Sequence, residues 1–401
     1  MAKVVPAFLL MNPKHVIEKY CLRCDLSSHD SSDLWKTSLG LKTIRLNYKS
    51  RLLGLPLLSF LKFFDFMVKP SWLLKNNMQE YPEVRANCAM SLMNIYPIWP
   101  DKRNMDMIYR HLYWLTTNEC MGSKGSGWGN NYLQPISREI EYSPQNALAS
   151  VTAVCVEALC KFKELEKSDE FDSALYGCLD FLLNELQTME KDKDSIAVSC
   201  STEKDLIETN VQAAVMKALA CLYPLASSKE KAEITLRVKK LYNYLKKIQM
   251  KDGCWKMIPG HDIPVSCRCC CNILTDIAAT ATQVNLPGSQ KVINKGWRYV
   301  VKKLFCEHKG IFKRYNDHKL SRFFRYTLSD NAAAMHTAIM LGNVEMASTL
   351  NQNIEKYFIK FGHIYSRIDQ FGMRKNKDYL RDGVSSYLLA LSELIKAENI
   401  K

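Results

Sequence analysis

Two polar stretches near the C-terminal end gather most of the side chains able to move protons or hold anions. KRYNDHKLSRFFRYTLSDN (313–331) supplies Arg314, Tyr315, Asn316, His318, Arg322, Asp330 and Asn331. YSRIDQFGMRKNKDYLRD (365–382) supplies Tyr365, Arg367, Asp369, Arg374, Tyr379, Arg381 and Asp382. A tyrosine or histidine beside a carboxylate can act as general acid or base. Tyr315, His318, Asp330, Tyr365 and Tyr379 are therefore the candidates for catalysis. Arginine forks bind carboxylates and phosphates bidentately, which makes Arg322, Arg367 and Arg381 candidates for neutralising an acidic substrate. Indole rings stack on sugar faces, so Trp128, Asn131 and Trp255 join them as substrate-binding candidates, with Asp369 as a polar partner. Glycoside hydrolysis would need two carboxylates across the bond, and Asp330, Asp369 and Asp382 are the acids within these stretches. For each residue alone, the plain alternative is a salt bridge tying neighbouring segments together.

The elements that would carry these residues are helices. From Tyr81 onward, small or apolar residues recur at helical spacing in pairs of segments. PEVRANCAMSLMNIYPI is followed by MDMIYRHLYWLTTNE, and ALASVTAVCVEALCKFKEL by EFDSALYGCLDFLLNELQ. LIETNVQAAVMKALACLYPLA is followed by KAEITLRVKKLYNYLKKIQ. One helix of each pair is rich in small residues, such as Ala147, Ala149, Ala153 and Ala158, or Ala213, Ala214 and Ala218. Short Gly–aromatic turns punctuate the pairs, at HKGIFKRY and FGHIYSRI. Strand signals are nearly confined to these turns. A period of about fifty to sixty residues fits stacked helical hairpins. The expected fold is all-α: an α/α toroid over 81–401, preceded by an N-terminal extension over 1–80 that holds one apolar helix.

The turn QMKDGCW (249–255) supports closure into a ring. Its Gln249, Gly253 and Trp255 resemble the QW-type motif of terpene cyclases and their α/α-barrel relatives. Glycine lets the chain turn sharply after an outer helix, tryptophan packs on the next hairpin, and glutamine satisfies backbone groups at helix ends. Inner helices crowd at the axis, so small residues suit them, and loops at one rim surround a central cavity.

Beyond this motif, the chain resembles a diffuse group of bacterial α/α-toroid proteins encoded with surface-polysaccharide biosynthesis genes. The resemblance rests on YPEVRANCAMSL, GSGWGNNY, SPQNALASVTAVCVEAL, ETNVQAA, QMKDGCW and KDYLRDGVSSYLLALSEL, in that order, across roughly four-fifths of the chain. Arg381 holds the arginine that precedes the family's final inner helix. The chain departs from the group at three places: WGNNYLQ lacks an acid, VSCRCCCNILTDI replaces an Asp-Asn-aromatic-His cluster, and Ala332 stands where Asp330 would be followed by a histidine. The resemblance implies a divergent member. Its expected role is in capsular, lipopolysaccharide or other surface-polysaccharide biosynthesis, binding an anionic glycan or a lipid-linked precursor in the cavity. Epimerase- or lyase-like proton abstraction is the preferred chemistry, with glycoside hydrolysis next. The alternatives are a non-catalytic scaffold of the biosynthetic complex and an isoprenoid-processing toroid enzyme; the latter rests only on the QW-like turn, since no Asp-rich diphosphate site is present.

Composition narrows the partners. The 401 residues hold 55 Lys plus Arg against 41 Asp plus Glu, a formal charge of +14. An anionic partner fits that excess. Nucleic acid does not, because the basic residues are spread along helices and not interleaved with stacking aromatics. Neither metal nor cofactor is expected. Cys267, Cys269, Cys270 and Cys271 are too close in sequence to converge on one ion, since adjacent helical residues point about 100° apart. Cys21 and Cys24 with His29 have better spacing but no second pair. The other cysteines sit among Ala and Leu as small core residues. The start, MAKVVPAFLLMNPKH, carries no signal-peptide pattern, so the expected location is cytoplasmic and peripheral to the inner membrane. The peripheral contact would come through RLLGLPLLSFLKFFDFMVKP (51–70), an apolar helix with basic flanks that is too interrupted to span a bilayer.

Overall fold

The computed structural model describes residues 12–68, 78–121, 125–203, 206–316, 325–369 and 371–399. The chain opens with α1 (Pro13–Cys21), a single turn α2 (Asp33–Lys36) and a hairpin of α3 (Ser38–Lys49) and α4 (Arg51–Val68). Helices then alternate: α5 (Pro82–Ile95), α6 (Lys102–Thr117), α7 (Ala149–Glu166), α8 (Asp172–Asp180), α9 (Thr209–Leu222), α10 (Ser228–Ile248), α11 (Cys267–Ala281), α12 (Ser289–Tyr299), α13 (Leu328–Met340), α14 (Val344–Phe358) and α15 (Ser385–Asn399).

The odd-numbered members from α5 to α15 form a closed ring. Each packs on the next, and α15 returns to α5. The even-numbered helices α6 to α14 lie outside, each against its partner. The sixth outer position is taken by α1, which packs on α5 and α15. The fold is therefore the expected all-α toroid. Composition explains which helix goes where. In α5 every residue from Val84 to Ile95 is buried, and small side chains such as Ala86, Cys88, Ala89 and Ser91 let neighbours approach on all sides. In α10 only one stripe is buried, Ile234, Val238, Leu241 and Leu245, while its lysines face water. Ser227 and Glu230 close a reciprocal capping box at its start.

Most returns from an outer to an inner helix are short antiparallel ribbons, such as Thr188–Lys191 with Ile196–Val198 and Phe305–Cys306 with Ile311–Phe312. The last is the longest: His363–Ile368 pairs with Arg374–Lys377 on one side and Tyr326–Thr327 on the other. These ribbons and loops gather at the N-terminal ends of the inner helices and build one rim.

The QMKDGCW turn works as its residue types suggest. Gly253 has φ +107°, and a Cβ there would sit 2.4 Å from the Lys295 carbonyl of α12. Trp255 packs against Gly296, also on α12, and its indole Nε1 donates to the Leu245 carbonyl at 2.9 Å. The Gln249 amide donates to the carbonyls of Gly253 and Val292, each at 3.0 Å. One motif thus joins the end of α10 to the next outer helix.

Candidate functional site

Trp128 repeats the arrangement of Trp255 two hairpins earlier in the ring's order. Its indole Nε1 donates to the Leu115 carbonyl at the end of α6, at 2.9 Å. Both tryptophans are fully buried. No ring face is left for a sugar, so the stacking role expected of Trp128 and Trp255 does not fit; they join hairpins. Asn131, at φ 59°, donates its amide to the Glu80 carbonyl at 3.1 Å and shapes the rim loop.

Arg381 stands at the rim just before α15, and the chain itself uses most of its guanidinium. Nε donates to Glu83 at 2.8 Å, Nη2 to Asn130 at 2.6 Å, and Nη1 to both Asp30 and the Tyr132 hydroxyl at 3.3 and 3.2 Å. The group also lies 4.4 Å above the Tyr81 ring. Burial alone would lower its pKa, but the surrounding carboxylates outweigh that and hold it charged. Asp30 accepts in addition from Tyr81 Oη at 2.5 Å and Lys36 Nζ at 3.0 Å. These partners outweigh burial and keep its carboxyl below the ordinary range. Arg381 is therefore a clamp between α15, α5, the loop before α7 and the N-terminal segment. That is a better fit than a hand extended to substrate.

Asp330 is likewise built in. It accepts from Arg268 N at 2.9 Å and from the Thr327 hydroxyl, joining the first turns of α11 and α13. Burial pushes its pKa up. Asp369 closes the tip of the long ribbon by accepting from Phe371 N and Met373 N, each at 2.9 Å. Tyr315 bridges to Ser266 before α11, with Arg314 5.0 Å over its ring. Tyr365 and Arg367 share one face of their strand, because alternate residues point the same way. His318 and Arg322 lie outside the described residues.

What the rim does bring together is a group drawn from distant parts of the chain. His29 and Asp33 form a dyad, Nδ1 to Oδ2 at 2.6 Å. The His29 ring lies 6.0 Å from the Tyr379 ring, centroid to centroid. Burial, then the carboxylates of Asp33 and Asp382, push the Tyr379 phenol up, so it is protonated at neutral pH. Burial also raises Asp33, against the pull of Lys36 at 2.8 Å. Arg367 is close enough for its charge to act on Asp382, Arg314, Asp65 and Tyr379; burial is the main force lowering its pKa. Ser31 ties the segment down through two hydrogen bonds to the Asp382 carboxylate, 2.8 and 3.1 Å. An Asp–His pair, a protonated phenol and a guanidinium thus lie along one side of the mouth.

Below the mouth, the hollow of the ring is polar. On inner helices buried elsewhere, the partly accessible residues fall on one face: Ser150, Val154, Glu157 and Lys161 on α7; Asn210, Ala214, Lys217 and Cys221 on α9; Ser329, Ala333 and His336 on α13. Such a face can only look at the axis. At the ninth or tenth position of five inner helices stands an ionisable group: Glu157, Lys217, Asp276, His336 and Glu393. They form a charged floor. Lys217 Nζ is 2.8 Å from Glu157 and 3.6 Å from Asp276. Lys161 Nζ binds Glu393 at 3.1 Å and Asn94 of α5 at 2.5 Å. Burial raises Asp276 to about 6, while Lys161 and His336 outweigh burial and take Glu393 to about 2. Burial is the main force lowering the pKa of His336, against the pull of Glu393 and Glu157. Glu157 retains 30% of its side-chain surface despite its depth, which marks the space beside it as open.

Sequence reading missed this floor, and it weighed His29 only as a metal ligand. The floor's signal is present: AVCVEALC, AAVMKALA, NILTDIAAT, AAAMHTAIM and LLALSEL each place one charged or imidazole side chain in a helix among small or apolar residues. Of the four clustered cysteines, Cys267 and Cys271 lie one turn apart with their sulfurs 3.9 Å from each other, while Cys269 and Cys270 point away from that pair. Cys269 Sγ faces Asn210, Cys270 the Trp255 carbonyl, and Cys267 lies 3.9 Å from the Asp330 carbonyl. Among the described residues no group of three or more His, Cys, Asp or Glu could hold a metal ion.

No family model and no curated protein matches the sequence. Solved structures match the fold. A glycosyl hydrolase family 88 protein from Bacteroides vulgatus aligns with TM-score 0.56 at 10% identity, covering 79% of this chain and 94% of that one. Cellobiose 2-epimerase from Spirochaeta thermophila aligns with TM-score 0.56 at 11% identity, covering 80% and 87%. A D-mannose isomerase aligns with TM-score 0.58 at 12% identity, covering 79% and 87%. At such identities the likeness establishes the α/α toroid and no more.

Proposed function

We propose that this chain is a carbohydrate-active toroid protein of surface-polysaccharide biosynthesis that takes an anionic saccharide into the mouth of its ring and abstracts a proton beside a sugar carboxylate. The observation that carries this reading is the pairing of His29 with Asp33 beside protonated Tyr379, at the entrance of a polar hollow. The similar folds point the same way, since they include a glycosyl hydrolase, a cellobiose 2-epimerase and a D-mannose isomerase.

The chemistry follows from the groups. With Nδ1–H held by Asp33, His29 Nε2 carries the lone pair and serves as the base. It takes the proton from the carbon next to the carboxylate, whose growing charge Arg367 offsets. Epimerisation then returns a proton from Tyr379 to the other face. A lyase would instead break the C–O bond at the next carbon and give the Tyr379 proton to the leaving oxygen.

A second reading, the non-catalytic scaffold, draws support from Asp330, Arg381, Trp128 and Trp255, whose polar or aromatic groups are taken up by the chain's own contacts. One experiment separates the two. Uronic-acid oligosaccharides and nucleotide-sugars of uronic acids are incubated with the protein in D2O and examined by mass spectrometry. Deuterium entering beside the carboxylate, or an unsaturated product, supports the enzyme. Saccharide binding without exchange supports a non-catalytic role, and no binding to any saccharide overturns the enzyme in favour of the scaffold.

A further inference from the structure

Helix α4 is turned inside out relative to an ordinary surface helix. Leu52 is 86% exposed, Leu53 65%, Leu55 55%, Phe60 61% and Phe63 62%. At 100° per residue, these five fall with Pro56 and Ser59 on one continuous face. The opposite face holds Gly54 and Leu61, both buried, and packs on α3; a Cβ on Gly54 would meet Asn47 backbone at 2.2 Å. The apolar face is thus presented outward by a hairpin that is itself anchored. α3 lies on the loop before α7, where Arg45 binds Glu141 through two hydrogen bonds of 2.6 and 2.8 Å.

The edges of this face are basic. Arg51 and Lys62 flank it on one side, and Lys49 precedes it, all exposed. Across α3 and α4 there are five basic residues, Lys42, Arg45, Lys49, Arg51 and Lys62, against one acid, Asp65. No described helix is long and apolar enough to cross a membrane. An exposed apolar stripe with a cationic border, on a helix unable to span, has the make-up of an interfacial helix that sinks its apolar face among acyl chains while its basic residues meet anionic headgroups.

We infer that the exposed face of α4 docks this protein on an anionic lipid surface, with Leu52, Leu53, Leu55, Phe60 and Phe63 entering the interface and Arg51 and Lys62 contacting headgroups. Through Arg45 and Glu141 the hairpin sits on the loop before α7, whose Asn130 and Tyr132 contact Arg381 at the rim. Docking through α4 therefore holds the mouth beside the lipid, where a lipid-linked saccharide would present its sugar. That extension rests on the proposed function; vesicle binding does not and stands or falls separately.

The test is flotation of the full-length protein with vesicles of phosphatidylcholine alone or mixed with phosphatidylglycerol. The wild-type protein is expected to float with the anionic vesicles and less with the neutral ones, and to dissociate in part at high salt. Leu52→Asp, Phe60→Asp and Phe63→Asp together should lower the bound fraction about tenfold or more with an unchanged circular-dichroism spectrum and melting temperature. Arg51→Glu with Lys62→Glu should remove only the preference for anionic vesicles. Failure to float with either vesicle overturns the inference. So does concentration-dependent self-association without lipid that the triple substitution abolishes, because the occupant of the face would then be a second copy of the chain.

Discussion

Lys161 on α7 reaches Glu393 on α15 at 3.1 Å, past the intervening helix α5. Side chains from helices two places apart can meet in this way only on the axis, so the pair shows the ring is bridged by charge and not filled by aliphatic packing. It also sets an acid sensitivity. Glu393 has a folded-state pKa of about 2, below the ordinary glutamate range, because Lys161 and His336 outweigh the cost of burial. A depressed carboxylate stabilises the fold above its unfolded pKa and loses that contribution as pH falls toward the folded value. Glu393→Gln should cost on the order of 3 kcal/mol at neutral pH, and the loss should shrink as pH falls from about 4.5 toward 2. Urea melts of both proteins across that window measure it.

Asp276 has the opposite sign. Burial lifts it to about 6, and Lys217 at 3.6 Å only partly offsets this. A raised carboxylate favours the fold below its unfolded pKa and loses that advantage as pH rises through the folded value. Asp276→Asn should flatten the fall in stability between about pH 4 and 6. At pH 7 the variant should be at least as stable as the wild type, because Lys217 keeps Glu157 at 2.8 Å. A carboxyl carbon titrating near pH 6 in a 13C NMR series would identify the group directly.

The outer staple can be tested by geometry alone. Gly253 holds a positive φ, and a Cβ would meet a backbone carbonyl of α12 that cannot step aside. Gly253→Ala should cost about 2 kcal/mol or more. Trp255→Ala should cost about 3–5 kcal/mol from the lost ring and the cavity it leaves. Both effects should appear as lower thermal midpoints, with helical content unchanged at low temperature.

These contrasts explain what the sequence could and could not reveal. The alternation of small-residue and amphipathic helices is a local property, so the toroid was legible in segments such as VQAAVMKALACL and VKKLYNYLKKI. Gln249, Gly253 and Trp255 act within one turn and its neighbour, and their residue types disclosed it. The rim was harder, because an arginine or aspartate near a helix start reads the same whether it faces a ligand or the chain's own carbonyls. Arg381 is claimed by Asp30, Glu83 and Asn130, which lie about 250 to 350 residues away, and no spacing rule joins them. His29 meets Tyr379 only because Ser28 and Ser31 are tied to Leu380 and Asp382.

Arg381 gives the fourth test. Removing one partner from a buried, hydrogen-bonded charge set leaves the others uncompensated, here Glu83 and Asp30. Arg381→Met should destabilise by about 3–5 kcal/mol. Arg381→Lys should recover only part of this, since an ammonium cannot reproduce a planar fork aimed at four groups. Calorimetric unfolding of the two variants gives the ranking. A variant that melted like the wild type yet bound saccharide poorly would restore Arg381 to substrate contact.

The dyad at the mouth makes the sharpest demand on the proposed function. His29 is part-exposed with its Nδ1 fixed by Asp33, and Tyr379 is kept protonated by burial, so the two groups divide the work of base and acid. Each such group contributes about 10²–10⁴ in rate. His29→Gln and Tyr379→Phe should therefore lower the rate of deuterium incorporation by that order, with saccharide affinity changing only a few-fold. Asp33→Asn keeps the shape of the dyad but removes the charge that orients the imidazole, and it should shift the pH dependence of exchange as well as its rate. The readout matters because the same three residues also help seat the N-terminal segment on the rim. A purely structural role would lower thermal stability in step with activity and leave the shape of the pH profile unchanged. A changed profile at preserved stability would assign the proton transfer to this dyad.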